Sequence, residues 1–294
     1  MSPVKITLFL LIGLTSWFST HAADFAVTPM MLEIETKPNG RSDFDFSVIG
    51  KGNGTIKITP YAMGQLESGH MGFVDLVEQP ESSANWLEFK QNRYQIRSDS
   101  TAKIEGKIRV PPRAFGTHLA AVMVEEDIPD DQNNGILVKV RYAVILSIKV
   151  VSRKRPGRAK TSFANVGFEK DEQGRQIFHA FFTNHSNFDD WLYSEVQVRD
   201  SKRRLVGRFP LKTESAWQRK DQGSRVYPNT RVKVLGLAKD TIEPGTYLIM
   251  VRNKFGKRTQ PMFKTEIVVD NKKPEVPQEE KATAEDNGKK QQAD

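Results

Sequence analysis

Apolar and polar residues alternate with a period of two along most of the chain, and the spacing of an amphipathic helix is nearly absent. Turn-forming clusters separate the alternating runs, for example Pro-Asn-Gly at 38–40 and the glycine-rich stretch at 50–54. The pattern predicts six or seven short strands in each half of the chain, which is typical of immunoglobulin-like sandwiches. The predicted fold class is therefore all-β, with two immunoglobulin-like β-sandwich domains in tandem.

The first 23 residues have the zones of a secretory signal peptide. An apolar run of 13 residues follows Lys5, and small residues close the segment at Ala22 and Ala23. The run is shorter than the roughly 17–25 residues that a membrane-spanning helix needs. We therefore predict that residues 1–22 are a signal peptide and that the mature chain is exported to the periplasm without a membrane span. The cell exterior is the alternative address.

A charged stretch interrupts the β pattern near the middle of the chain. Residues 153–158 contain four basic residues, a proline and a glycine. We place the domain boundary here, between an N-terminal domain at 23–151 and a C-terminal domain at 152–270. Residues 271–294 consist mostly of Lys, Glu, Gln, Ala and Pro, and this composition predicts a disordered tail.

The formal charge of +8 is unevenly distributed. Residues 24–150 have 14 Lys and Arg against 17 Asp and Glu, a net charge of −3, whereas residues 151–270 have 24 against 13, a net charge of +11. Basic clusters occur at 202–204 and 257–258, but no aromatic residues are interleaved with them as stacking platforms for bases. Together with the predicted export, this argues against nucleic-acid binding.

The sequence lacks the usual motifs of an enzyme or a metal site. It has no Cys and none of the common nucleophile, phosphate-loop or zinc-protease motifs. The histidines after the leader do not have the spacing of zinc ligands: His70, His118, His179 and His185. We predict a protein that is not an enzyme and that uses no cofactor and no metal, so its function should be binding.

The most informative segment is an uninterrupted β-rich run of 16 residues from Ile136 to Val151. It would extend about 53 Å as a single strand, which is longer than a usual strand of about 3–10 residues. An exposed strand edge of this kind can dock a partner that lacks a strand. The alternative is that the run is the last strand of the first sandwich and is buried on both faces, which the sequence favours from Val144 onward.

Several motifs, taken in order, resemble the PapD-like periplasmic chaperones of pilus assembly, and in particular their non-classical branch. They are Trp86-Leu-Glu-Phe89, Ile104 to Pro112, Gly116 to Val124, Arg141-Tyr-Ala-Val144, Val226-Tyr-Pro-Asn229 and Glu243-Pro-Gly-Thr-Tyr247. The resemblance covers residues 24–270. It implies that the protein binds pilin-like (fimbrial) subunits and stabilises them by donating a β-strand before delivery to an outer-membrane usher.

The resemblance also implies two sets of site residues. The donor strand would present Ile136, Val138, Val140 and Tyr142 to the subunit. Members of the family anchor the subunit's C-terminal carboxylate with basic side chains in the cleft between domains, but here the first predicted strand, Phe25 to Glu35, contains no Lys or Arg. The remaining anchor candidates lie near the domain boundary: Lys149, Arg153, Lys154 and Arg155.

Two other readings of the same sequence stay open. The main alternative is an exported structural or adhesion-type immunoglobulin-like envelope protein without chaperone activity. A secreted hydrolase is a further alternative, although no catalytic motif supports it.

Overall fold

The computed structural model of the protein describes residues 25–73, 82–127, 140–152, 160–238 and 240–269. The predicted signal peptide and the predicted disordered tail lie outside these residues. We refer to the described residues up to 152 as the first half and to those from 160 onward as the second half.

The first half consists of strands and one short 3₁₀ turn at Ser83–Trp86. Its strands are β1 (Phe25–Thr28), β2 (Met31–Thr36), β3 (Arg41–Gly50), β4 (Gly54–Gln65), β5 (Met71–Phe73), β6 (Leu87–Phe89), β7 (Arg93–Ile96), β8 (Thr101–Arg109), β9 (Gly116–Glu126) and β10 (Arg141–Val150).

Two sheets of the first half face each other across a hydrophobic core. One has the order β1-β3-β8-β6, and the other has the order β2-β10-β9-β4-β5, with β7 paired to β4. Alternation places one face of each strand in the core: in β3, Phe44 and Phe46 are buried while Asp43 and Asp45 are exposed. The first half is therefore a β-sandwich.

The first predicted strand, Phe25 to Glu35, is in fact two strands in different sheets, so that prediction was wrong. β1 pairs antiparallel with β3, whereas β2 pairs parallel with β10 in the opposite sheet. Pro29 lies between them, and proline has no backbone N–H to donate to a ladder. The chain changes sheets at this point, which alternation alone could not reveal.

The second half contains the remaining strands and one short helix, α1 (Glu214–Gln218). Its strands are β11 (Thr161–Lys170), β12 (Gln176–Asn184), β13 (Asp190–Arg199), β14 (Leu205–Thr213), β15 (Ser224–Val226), β16 (Thr230–Leu237), β17 (Gly245–Phe255), β18 (Arg258–Thr259) and β19 (Phe263–Val269).

The second half has its own core, formed mainly by aromatic and branched side chains. The strand order is β11-β12-β16-β14-β13-β17-β18, with β15 on β13 and β19 on β17. β14 pairs with both β13 and β16 and so connects the two layers that enclose Phe178, Phe182 and Val196. The predicted all-β fold class is confirmed.

Backbone and side-chain hydrogen bonds join the two halves. The Thr117 N–H donates to the Asn187 carbonyl at 2.7 Å, and the Lys233 N–H donates to the Glu67 carbonyl at 2.7 Å. The Gln65 amide also donates to the backbone carbonyl of Arg225 at 2.8 Å. Because these bonds involve the backbone, the halves meet in a specific arrangement.

Candidate functional site

Strand β10 is paired along both edges in one part and along a single edge in the other. Residues 145–150 pair with β9 on one side and with β2 on the other. Within the described chain, residues 141–144 pair only with β9, and Val140 precedes the strand without pairing. In the part of the chain that the structure describes, the start of β10 therefore has one edge, four residues long, without a partner strand.

The open edge results from the change of sheet between β1 and β2. β2 begins opposite Ile145, where Met31 is its first register partner. Upstream of Met31 the chain crosses to the other sheet, so β1 does not continue along β10. The residues that would have covered the start of β10 pair with β3 instead.

The hydrogen-bond pattern identifies the backbone groups that the open edge presents. The Ile145 N–H donates to the Met30 carbonyl at 2.9 Å, and the Val151 N–H donates to the Thr36 carbonyl at 2.9 Å. Alternate residues of a strand point their backbone groups to the same side. The N–H and C=O groups of Arg141 and Ala143 therefore face the open edge.

Side chains of β10 divide between the core and the outer face of the sheet. Val144, Leu146, Ile148 and Val150 are completely buried in the first-half core. Tyr142 is on the same side and packs edge-to-face on Phe25, with a ring centroid distance of 5.3 Å.

The outer face beside the open edge is partly apolar. Ala143 and Ile145 lie on it and are half-buried. Met31 at the start of β2 and Met30 just before it are exposed, Met30 to 43%. Arg141 also belongs to this face, where its guanidinium is 2.8 Å from a Glu125 carboxylate oxygen. The side chains of a strand that pairs with the open edge would therefore contact apolar side chains of this face.

Arg225 of β15 connects this outer face to the second half. Its Nε donates to Asp189 Oδ2 at 2.6 Å, and its terminal nitrogens donate to Glu33 of β2 and to Ser147 of β10, the latter at 3.4 Å. The guanidinium also lies 5.0 Å from the ring centroid of Tyr227. The Thr117 hydroxyl donates to the other Asp189 oxygen at 2.6 Å.

The electrostatics of this cluster keep Arg225 charged. Burial alone lowers the pKa of Arg225, but Tyr227, Asp189 and Glu33 together raise it above its ordinary value. Burial also raises the pKa of the Tyr227 hydroxyl to about 12, against the lowering effect of the nearby guanidinium. Arg225 is therefore a permanent cation whose charge is balanced by carboxylates from both halves.

Sequence reasoning named some residues that are at this site and missed others. Val140 is half-buried next to the open edge, and Lys149 is on the outer face with 48% of its side chain exposed. The Lys149 ammonium is 3.9 Å from a Glu35 carboxylate and 5.9 Å from the Phe188 ring centroid. Tyr142 packs on Phe25, as described above, and the remaining five named residues lie outside the described residues: Ile136, Val138, Arg153, Lys154 and Arg155.

Arg225 was not predicted as a site residue. It directly precedes the Val226-Tyr-Pro-Asn229 motif that the sequence singles out. The sequence does not indicate that β15 places Arg225 against the outer face of the first half.

The described residues contain no group of three or more His, Asp and Glu side chains arranged to hold a metal ion. In the same part of the chain, no helix has the length and apolar character needed to cross a membrane.

No family model matches the sequence, and no curated protein matches it. Similar solved structures include the class 5 fimbriae chaperone CfaA, which is 12% identical with a TM-score of 0.43 over 83% of this chain and 99% of that one. A CsuC–CsuE chaperone and tip adhesion subunit complex from archaic Csu pili of Acinetobacter baumannii is 14% identical, with a TM-score of 0.41 over 82% and 98%.

A third similar structure is that of a chaperone and tip adhesin complex of CFA/I fimbriae, which is 11% identical with a TM-score of 0.44 over 84% of this chain and 98% of that chain. Each of the three is a structure of a fimbrial or pilus chaperone, alone or with a tip subunit. Similarity at this distance carries no function, so the functional argument rests on the geometry of the open edge.

Proposed function

We propose that the protein is a periplasmic chaperone that binds a pilin-like fimbrial subunit by donating a β-strand and then delivers it to an outer-membrane usher. The observation that carries the proposal is the open edge of β10, where the backbone groups of Arg141 and Ala143 have no partner strand among the described residues. A sandwich that lacks one strand has backbone N–H and C=O groups without hydrogen-bond partners and a core that lacks apolar side chains. A strand from another protein can supply both.

The donated strand is proposed to run from residue 136 into β10. Ile136, Val138 and Val140 would enter the core of the subunit, while Arg141 and Ala143 supply hydrogen bonds at the open edge. The Tyr142 side chain packs against Phe25 in its own domain, so its part is to hold the strand in place.

We further propose that basic residues near the boundary bind the C-terminal carboxylate of the subunit. Lys149 fits this role because its ammonium group is accessible and only loosely paired, at 3.9 Å from Glu35. Residues 153–155 would add charge next to it. A carboxylate that loses part of its hydration needs charge-assisted hydrogen bonds of this kind.

Replacing Ala143 with proline tests the open edge directly. Proline removes the N–H that faces the edge, and an edge strand tolerates proline where the N–H faces solvent. We expect A143P to change the free energy of unfolding by about 1 kcal/mol or less. Binding to a co-expressed fimbrial subunit should fall about tenfold or more, because a buried acceptor on the subunit loses its donor. Capture of the tagged subunit and chemical denaturation measure the two effects.

Val144→Pro is the matched control. The Val144 N–H faces β9 and its side chain is fully buried, so proline at this position breaks the native ladder and should unfold the first half. If A143P captures the subunit as well as the unmodified protein does, the edge is not the docking site. A stable protein that captures no fimbrial subunit in any form would instead favour a structural or adhesion-type envelope module.

A further inference from the structure

A second surface, on the outer face of the second half, combines exposed aromatic rings with cations. Trp191 and Tyr193 on β13 are exposed to 39% and 40%. On the neighbouring strand β17, Lys254 lies directly opposite Tyr193, and Arg252 lies opposite Glu195. We call Trp191, Tyr193, Arg252 and Lys254 the aromatic-cationic wall.

The aromatic-cationic wall adjoins the open-edge site through Arg225. Trp191 is the register partner of Arg225 on β15, so the two residues belong to the same face of the sheet. The Arg225 side chain contacts Glu33 and Ser147 on the outer face of the first half. Two outer faces therefore meet at Arg225, one bearing the open edge and the other bearing the wall.

The cations of the wall form no ion pair with a carboxylate of the described residues. Among the described residues, no carboxylate lies within ion-pair distance of Arg252 or Lys254, or of Lys257 and Arg258 in the adjoining β17–β18 turn. Glu195, the acidic residue nearest in register, is 2.8 Å from the Arg208 guanidinium on β14. Glu195 on β13 and Asp190 beside Gly256 lie near these cations without forming ion pairs with them, so the wall has positive charge that no ion pair within the described part of the chain neutralises.

The Tyr193 ring and the Trp191 backbone are held in position by neighbouring backbone. A Cβ at Gly223 would lie 2.8 Å from the Tyr193 ring, so the ring is seated directly against the glycine. The Trp191 carbonyl accepts a hydrogen bond from the Gly256 N–H at 2.8 Å. Trp, Tyr and Arg on a fixed surface are the residue types that contribute most to protein–protein binding.

We propose that the aromatic-cationic wall binds an acidic segment of the same subunit whose missing strand is supplied at the open edge. The inference rests on the proposed function, because the subunit must already occupy the corner between the two faces. The wall supplies positive charge next to a first half whose net charge is negative, and so it would select and orient subunits with carboxylates on that side.

The test is the association of the purified mature protein with a fimbrial subunit from the same organism, refolded by dilution. We expect R252E/K254E to lower the association rate at least tenfold at low ionic strength, and the difference to shrink in high salt. Trp191→Ala should leave the association rate almost unchanged and raise the dissociation rate, because it removes contact area without changing charge.

K202E/R203E is the matched control, since it makes the same change of charge in the β13–β14 turn, at the other end of β13. It should associate like the unmodified protein.

If A143P abolishes binding while R252E/K254E and K202E/R203E behave alike, the wall is not an acidic-segment site and the proposed function stands. If neither A143P nor R252E/K254E affects binding, both proposals are overturned. A loss of association that is equal in low and high salt also contradicts the wall, because charge attraction would then not be its cause.

Discussion

Arg225 shows how a single residue organises the region where the two halves meet. Its guanidinium bonds to Asp189 in its own half and to Glu33 and Ser147 in the other. The Asp189 side chain is only 10% exposed, so without the arginine a poorly hydrated carboxylate would keep only the Thr117 hydroxyl as a donor and would have no cation beside it. The cluster therefore favours one arrangement of the outer faces. For the proposed docking surface, this arrangement matters more than the contribution of the cluster to the free energy of unfolding.

His118 is another residue whose charge state depends on burial, and it leads to a pH prediction. Burial lowers the pKa of the His118 imidazole, and the hydrogen bond to the Phe115 backbone raises it by less. The ring also packs on Trp86, with a centroid distance of 4.6 Å. Because the folded-state pKa is below the unfolded value of about 6.5, the stabilisation is complete above that pH and is lost as the pH falls through the folded pKa.

We therefore expect the free energy of unfolding to decrease as the pH falls below about 6.5. The decrease should be smaller in H118F, because phenylalanine does not titrate. Phenylalanine also keeps an aromatic ring against Trp86. Chemical denaturation at several pH values between 5 and 8 measures this. Burial lowers the pKa of His179 as well, so H118F should keep part of the slope and H118F/H179F should lose more of it. Parallel curves for H118F and the unmodified protein would show that His118 is not responsible.

At the scale of the strand, β10 separates what the sequence could predict from what it could not. Alternation correctly predicted that Val144, Leu146, Ile148 and Val150 are buried. The prediction that both faces are buried was wrong, because Ile145 is only half-buried and Lys149 is exposed on the outer face. Alternation did not predict that β10 is covered by β2 only from Ile145 onward, because pairing depends on where a distant segment changes sheets. The same reason explains why Arg225 was missed: local patterns identify strands, but contacts between halves come from the way the strands assemble.

The donor strand predicted at 136–140 leads to a prediction about aspartate substitutions. Val138→Asp and Val140→Asp should each leave the protein folded, since Val140 lies outside the paired part of β10. Each should abolish stabilisation of the subunit, because an ionised carboxylate cannot enter an apolar core unpaired. Circular dichroism and capture of a co-expressed fimbrial subunit measure the two effects.

Val144→Asp is the comparison for these two variants, because it places the charge in the first-half core and should unfold it. If Val138→Asp and Val140→Asp unfold the protein in the same way, these positions belong to its own core. The strand-donation hypothesis would then fail for them.

At the scale of the whole molecule, the two proposals depend on how the outer faces of the two halves meet. Gly116 at the start of β9 is a key position, with a φ of +101°. A Cβ there would be 2.1 Å from the Asn187 carbonyl oxygen, the same oxygen that accepts the Thr117 N–H. Only glycine allows the backbones of the two halves to approach this closely.

Gly116→Ala should therefore separate the halves and misalign the open edge with the aromatic-cationic wall. We expect a loss of about 1–3 kcal/mol in the free energy of unfolding, from the overlap and the unfavourable φ. Small-angle X-ray scattering should show a larger radius of gyration, and subunit binding should weaken although β10 itself is unchanged.

Gly174→Ala provides the control, because Gly174 also has a positive φ, of +76°, but no atom lies within 4 Å of the added Cβ. It should lose stability through the backbone alone and keep both the radius of gyration and subunit binding. If the two alanine variants bind the subunit equally well, the open edge is sufficient by itself and the arrangement of the halves does not matter for docking. A defect confined to Gly116→Ala would mean that the subunit is recognised by both faces together, which a single sandwich could not achieve.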